Sequence, residues 1–468
     1  MTATLKDPFI NKLFIFLSVV FIVMFIGVGA AFAPVQLAIF SLVPIFFILA
    51  CWQFRIAVLV MLVLACGLIP KALTPTIPLL GGRVRAEDMF LIMLVIIGAF
   101  RLIVRADRFK SSPLWYPLYY FAVLVVFSLL IAFFNHNKLK YIMFETRTIF
   151  YWFYVALLFI SIKCEKHLRT TLNLIIILST LVAAVAVFQS LTGIQILTDA
   201  RFSPLITGAD VNRNINRSFL GGFQAFVVFS FVLMLVRLVR REISPYIALP
   251  VLLMIALGLI ATFGRGVWAA TFVVVFIASV WLGWRSFVRI WAVLFFIASM
   301  IASISFLIVP ELLDAIVSRT MSVSDEVQKG ESWDWRVIEI EHGIKTIKKH
   351  PIRGIGLGGE YMPVLNKNMA EEQTAMSHNS YLYIALKFGL LGLLFPAWLA
   401  VVVLLKTKQI GDTLSIAIGS AFMNPVLIGY TQMEWAQMFG VLFMATMVGL
   451  LATHDRLKNT LKEPKSIG

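Results

Sequence analysis

His378 is the side chain in this sequence best suited to take a proton near neutral pH. It stands immediately before Asn379, Ser380 and the apolar run that opens at Tyr381. At a point where the chain re-enters lipid, such a histidine can meet both a lipid headgroup and a water-soluble reactant. The same position also suits a plain polar helix cap. Three arginines supply a complementary charge. Arg265 stands in Thr262-Phe-Gly-Arg-Gly-Val-Trp268, where a Gly-Arg-Gly turn joins two apolar runs and lets another group approach the backbone closely. Arg217 closes Asn212-Arg-Asn-Ile-Asn-Arg217 just ahead of another run, and Arg147 follows Glu145 inside an apolar segment. A guanidinium stays protonated and offers a planar fork of donors that fits phosphate oxygens, so three together suit a diphosphate headgroup. The competing reading pairs Arg147 with Glu145 or a backbone carbonyl, and makes Arg217 and Arg265 ordinary helix-end anchors at lipid phosphates.

Positioning such groups falls to a membrane bundle. The chain has 468 residues, 60% hydrophobic and 14% charged, with a mean hydropathy of +0.92, values that describe bilayer-spanning helices and not a soluble core. Apolar runs of spanning length fall at about 13–32, 35–52, 56–70, 89–104, 115–134, 142–162, 171–192, 219–238, 246–263, 267–284, 289–308, 380–404, 413–430 and 435–453. An all-α polytopic protein of 12–14 transmembrane helices is expected. Residues 1–308 form its N-terminal bundle, 309–378 one large, partly helical loop, and 379–468 the helices that complete the bundle. The run from Leu13 to Phe32 has the length of a signal peptide's apolar region, but further runs follow at once without a clear cleavage site, so it reads as a retained helix. Cys51, Cys66 and Cys164 lie in or beside apolar stretches and read as packing residues, with no metal set implied.

Basic residues crowd alternate connections: Arg101, Arg105, Arg108 and Lys110, then Lys163, Lys166 and Arg169, then Arg237, Arg240 and Arg241. Later connections and the C-terminal stretch continue the pattern, so all can share the cytoplasm and the loop 309–378 faces the other compartment. That loop holds eight Lys or Arg against eleven Asp or Glu, so the net charge of +16 lies elsewhere. The charge is a topology signal, and no basic soluble domain exists to bind nucleic acid.

Within the loop, Val337, Ile340, Ile344 and Ile347 recur at helical spacing between charged residues, which predicts an amphipathic helix lying on the bundle and ended by Pro351. Arg353-Gly-Ile-Gly-Leu-Gly-Gly359 then reads as a flexible turn. It lacks the preceding strand and the following Lys-Ser/Thr of a phosphate-binding loop. The polar stretch from there to Met376 could be a lid.

Trp335-Arg336, His350-Pro351, Gly354-Ile-Gly356, His378-Asn379-Ser-Tyr-Leu and Gly389-Leu-Leu-Gly392 together resemble the signature of the O-antigen ligase and O-antigen polymerase superfamily over about sixty residues. The resemblance implies an all-helical bundle of the lipid-linked glycosyltransferase type, in the bacterial inner membrane with its site facing the periplasm. The implied donor is a glycan on undecaprenyl diphosphate. The acceptor is a lipid A core sugar for a ligase, or a lipid-linked glycan for a polymerase. His378 corresponds to the family's essential loop histidine, Arg265 to an arginine at a span boundary, and Arg217 and Arg336 to further arginines. Neither metal nor cofactor is implied. The expected chemistry is an inverting glycosyl transfer in which His378 takes the hydroxyl proton and the arginines, Arg147 among them, hold the diphosphate, with Asn379 and Glu145 in support. The ligase is favoured by the loop histidine His378 and its re-entry sequence, while fourteen spans would suit a polymerase as well or better. A secondary transporter stays open because Glu145 and Lys387 are charges within apolar runs; no internal repeat supports it.

Overall fold

Between Trp115 and Phe134 the chain carries no charged residue, and in lipid such a segment can satisfy its backbone only as a helix. The computed structural model describes residues 42–68, 76–79, 82–105, 112–196, 203–204, 216–308, 312–313, 315–317, 331–365 and 374–462. The run expected at 13–32, the start of that at 35–52, residues 318–330 and the centre of the supposed lid lie outside these.

The helices in chain order are α1 Leu42–Trp52, α2 Phe54–Ala65, α3 Ala86–Arg105, α4 Trp115–Phe134, α5 Leu139–Ser161, α6 Glu165–Thr192, α7 Gln224–Val239 and α8 Pro245–Ala261. They continue as α9 Arg265–Trp281, α10 Trp284–Ile308, α11 Glu331–Lys349, α12 Ser380–Phe388, α13 Leu394–Ile410, α14 Thr413–Ile428 and α15 Met438–Lys462. Two short antiparallel pairs, Thr76–Leu79 with Gly82–Arg85 and Ser203–Pro204 with Asn216–Arg217, are the only strands among the described residues.

The protein is an all-α polytopic membrane protein. Among the described residues seven helices are long and apolar enough to cross a membrane, and Phe54–Ala65, Pro245–Ala261, Arg265–Trp281 and Thr413–Ile428 are shorter apolar helices. α8 packs on α6, α7 and α9 pack on α14, and α15 packs along the second half of α5. Enclosure varies widely: the span Met438–Thr460 is 89% buried, whereas Trp284–Leu307 is 22% buried. α15 is therefore the axis of the bundle and α10 lies at its lipid-facing rim.

One expected span is broken. The run 380–404 forms α12 and α13, separated at Gly389 with φ +74°. A side chain there would strike the Ile352 carbonyl at 2.0 Å, and the Leu390 N–H donates to the Pro351 carbonyl at 2.8 Å. The turn after α11 is wedged into this break, which only glycine permits.

Basic residues gather at one end. Asp412 caps α14 in a capping box with Ser415 and lies 2.6 Å from His454 and 2.5 Å from Lys458. Lys406 pairs with Asp455 at 3.0 Å, Arg240 donates to Thr413, and Arg456 donates to the Ile162 carbonyl. His378 and the 429–437 connection stand at the other end of α14 and α15.

Candidate functional site

The entry to α12 is rigidly built. The Asn379 side-chain oxygen accepts from the Tyr381 and Leu382 N–H groups at 2.9 and 3.0 Å, satisfying two donors that a helix start leaves over. The Ser380 hydroxyl donates to Gln432 and accepts from the Trp435 N–H, and the Ser380 N–H donates to the Gly429 carbonyl. Asn379 is thus the cap, which leaves the imidazole of His378 free of that duty.

His378 has a different partner. Glu339 of α11 takes the ring Nδ1 at 2.8 Å on one oxygen and the His378 backbone N–H at 3.1 Å on the other. The Trp335 indole donates to Glu339 as well, at 3.0 Å. The glutamate side chain is 2% exposed and the histidine 41%. An ionised carboxylate can only accept, so Nδ1 carries the hydrogen and Nε2 keeps its lone pair. Burial pushes the Tyr361 phenol well up, with the Glu339 charge adding to it, so this neighbour stays neutral.

α11 reaches this geometry on an unexpected face. Trp335, Glu339, Gly343 and Ile347 turn toward α12 and the loop, and Leu382 fills the space that a Gly343 side chain would need. Val337, Ile340 and Ile344, expected to rest on the bundle, are exposed. On that face Trp335 and Ile347 pack on a small apolar cluster of Ile355, Tyr361, Met362 and Leu386 beside the polar Glu339, so the outer apolar row was a poor guide to the orientation of the helix.

The glycine turn is clamped, not flexible. Gly356 lies so close to α4 that a side chain would come within 2.6 Å of the Ala132 N, and Gly358 stands equally close to Ile142. Asn137 donates to the Ile355 and Leu357 carbonyls at 3.0 and 2.8 Å. Beneath the turn Glu145 and Lys387, both buried, pair at 2.8 Å. Glu145 also accepts from the Gly358 N–H at 2.7 Å and from Tyr383, while Lys387 donates to the Gly359 carbonyl at 2.6 Å. These charges belong to a closed latch between bundle and loop. They do not form an open pathway.

The arginines divide. The Arg217 Nε–H donates to the Thr262 carbonyl at 3.0 Å, beside the turn that starts α9 at Arg265, and the Ser218 N–H donates to the Ala261 carbonyl. Thr431, across from Gly266, belongs to the connection that holds Ser380. A chain of contacts therefore runs from the two arginines to the residue after Asn379. Arg147 pairs with Asp88 at 3.5 Å and not with Glu145. Asp88 is buried, accepts from Tyr151 at 2.9 Å and caps α3 through the Arg85 N–H. Arg336 lies three residues before Glu339, on the same side of α11. Among the described residues no group of three or more His, Cys, Asp or Glu could hold a metal.

Glu339 and Asp88 escaped sequence reading, and Lys387 was legible only as an intramembrane charge without its partner. Glu339 sat in a row of charges that looked solvated, and its partner lies thirty-nine residues away. A glutamate at i+4 from a tryptophan was the available signal.

Residues 249–397 match a family model described as O-Antigen ligase. Over that stretch, about a third of its length, the chain is similar to the O-antigen ligase domain. That domain runs from α8 into the first turn of α13, so Arg265, Arg336, Glu339, His378 and Lys387 lie inside it. Glu145, Arg147 and Arg217 lie before it and reach the same end of the molecule through the latch and the Thr262 contact. No curated protein matches the sequence.

Proposed function

We propose that this protein is an O-antigen ligase that passes a glycan from undecaprenyl diphosphate to a sugar hydroxyl of the lipid A core, at the periplasmic face of a bacterial inner membrane. The observation that carries the reading is the Glu339–His378 pair, whose partly exposed imidazole offers Nε2 outward while a buried carboxylate fixes its other nitrogen. A carboxylate so placed stabilises the imidazolium that forms when Nε2 accepts a proton.

In the reaction the acceptor oxygen attacks the anomeric carbon as its proton passes to His378. A new carbon–oxygen bond forms, the bond from that carbon to the diphosphate oxygen breaks, and attack from the opposite face inverts the configuration. The leaving diphosphate gains negative charge, which Arg265 and Arg217 collect together, with Arg336 and Arg147 in support. A fixed donor at a developing anion contributes about 3–4 kcal/mol, and a placed general base roughly 10²–10⁴-fold. Asn379 and the Glu145–Lys387 latch hold the frame in which this happens. The basic residues gathered at the opposite end fit a cytoplasmic location for that end.

The second reading is a polymerase, which shares the donor and the chemistry and extends a lipid-linked glycan. Purified protein given lipid-linked donor with either lipid A core or further lipid-linked repeat separates the two. Product on the core, lost in His378→Ala and Arg265→Ala, is expected. A lengthened lipid-linked glycan would assign the polymerase, and full activity of His378→Ala would overturn the catalytic reading.

A further inference from the structure

α11 turns an apolar row away from the protein. Val337, Ile340 and Ile344 are 39, 40 and 45% exposed. At about 100° per residue they share one narrow band, opposite the face that carries Trp335 and Glu339. Single exposed apolar residues are ordinary, but a row at i, i+3 and i+7 on one helix is a surface that needs cover.

Its surroundings say what covers it. Beyond Pro351 the row continues in Ile352, 69% exposed, which sits against the Gly389 break. Leu390, Leu391 and Leu394, about half exposed, open the span Leu390–Ile410 from that break. The row therefore runs into a lipid-facing surface without interruption. Cations border it: Lys345, Lys348 and Lys349 are all exposed in the last turns of α11, against Glu341 alone, and exposed Arg353 follows with its guanidinium 3.4 Å from His350. A helix with an apolar stripe, flanking lysines and modest overall hydrophobicity is built for the boundary between headgroups and acyl chains.

We propose that α11 lies in the membrane interface, its Val337–Ile340–Ile344 row and Ile352 sunk among phospholipid acyl chains on the His378 side and its lysines at the level of anionic lipid phosphates. The helix that supplies Glu339 would then be held between bilayer and bundle, and the depth of His378 would be set by lipid as well as by protein. This inference needs only the membrane fold and stands whatever reaction the site performs.

The test is fluorescence quenching on the full chain in nanodiscs of phosphatidylethanolamine and phosphatidylglycerol. Ile344→Cys and, as control, Asp334→Cys are each made in a Cys164→Ser background and labelled with an environment-sensitive fluorophore, the background alone giving the baseline from Cys51 and Cys66. Nitroxide on lipid acyl chains should quench the label at position 344 several-fold more than aqueous iodide does, with the order reversed at 334. Equal access of iodide to both positions would overturn the proposal by leaving the row in water. Quenching at 344 by neither agent would overturn it too, because a protein segment or a second copy of the chain would then be the cover.

Discussion

Glu339 holds His378 by two hydrogen bonds at once, 2.8 Å to the ring Nδ1 and 3.1 Å to the backbone N–H, so one carboxylate sets both the tautomer and the place of the imidazole. Glu339→Gln keeps the shape but leaves one acceptor for two positions and removes the negative charge that would stabilise an imidazolium. Steady-state kinetics of glycan transfer should show kcat falling roughly 10²–10⁴-fold with KM nearly unchanged. A rise in KM alone would show that Glu339 serves binding instead.

Lys387→Met leaves the Glu145 carboxylate buried beneath the glycine turn without its cation. Breaking such a pair costs about 3–5 kcal/mol. Thermal unfolding should show the single variant far less stable than Lys387→Met combined with Glu145→Gln, which removes the stranded charge.

Gly356 and Gly221 both have positive φ, at +77° and +56°, but only Gly356 has backbone within reach of an added side chain. Gly221→Ala should cost about 1–2 kcal/mol from conformation alone. Gly356→Ala must also push the turn off α4, and transfer activity should fall with stability in that variant only.

Asp412 and Glu434 should give opposite pH signatures in the same melting experiment. Burial raises the Asp412 carboxyl, but hydrogen bonds from His454 and Lys458 outweigh it and hold the group below its ordinary 3.8. Its stabilisation is present above that value and is lost as pH falls through the folded-state value. Asp412→Asn should therefore cost about 1–3 kcal/mol at pH 7 and progressively less in acid.

Glu434, in the connection that holds Ser380, is pushed up by burial to about 7 from 4.5. A raised carboxyl favours the fold below its unfolded value, and that advantage is lost as pH rises through the folded one. Glu434→Gln should stabilise the protein by up to about 3 kcal/mol at pH 8 and leave it unchanged near pH 4. A variant less stable at both pH values would contradict this.

The described helices were legible because lipid demands uninterrupted apolar runs, and those from α2 to α10 lie close to where hydropathy puts them. The break at Gly389 was not legible, since both sides of it are apolar and the cause is a distant turn at Pro351–Ile352. His378 and Arg265 stand out by residue type and local glycines. Their partners do not: Glu339 and Lys387 looked like a solvated charge and an intramembrane charge until tertiary contacts paired them. Arg147 shows the same limit, because a neighbour two residues away was a natural partner and the fold supplied Asp88 instead.

The most enclosed span, Met438–Thr460, is also the last helix of the described chain to be synthesised. Its neighbours α5, α7 and α14 enter the membrane before it, so they must leave a vacancy that the final segment fills. Gln432 and Trp435, which hold Ser380, lie in the short connection that leads straight into α15. Closure around the axis of the bundle and completion of the α12 entry thus fall to one continuous stretch at the end of synthesis of the described residues.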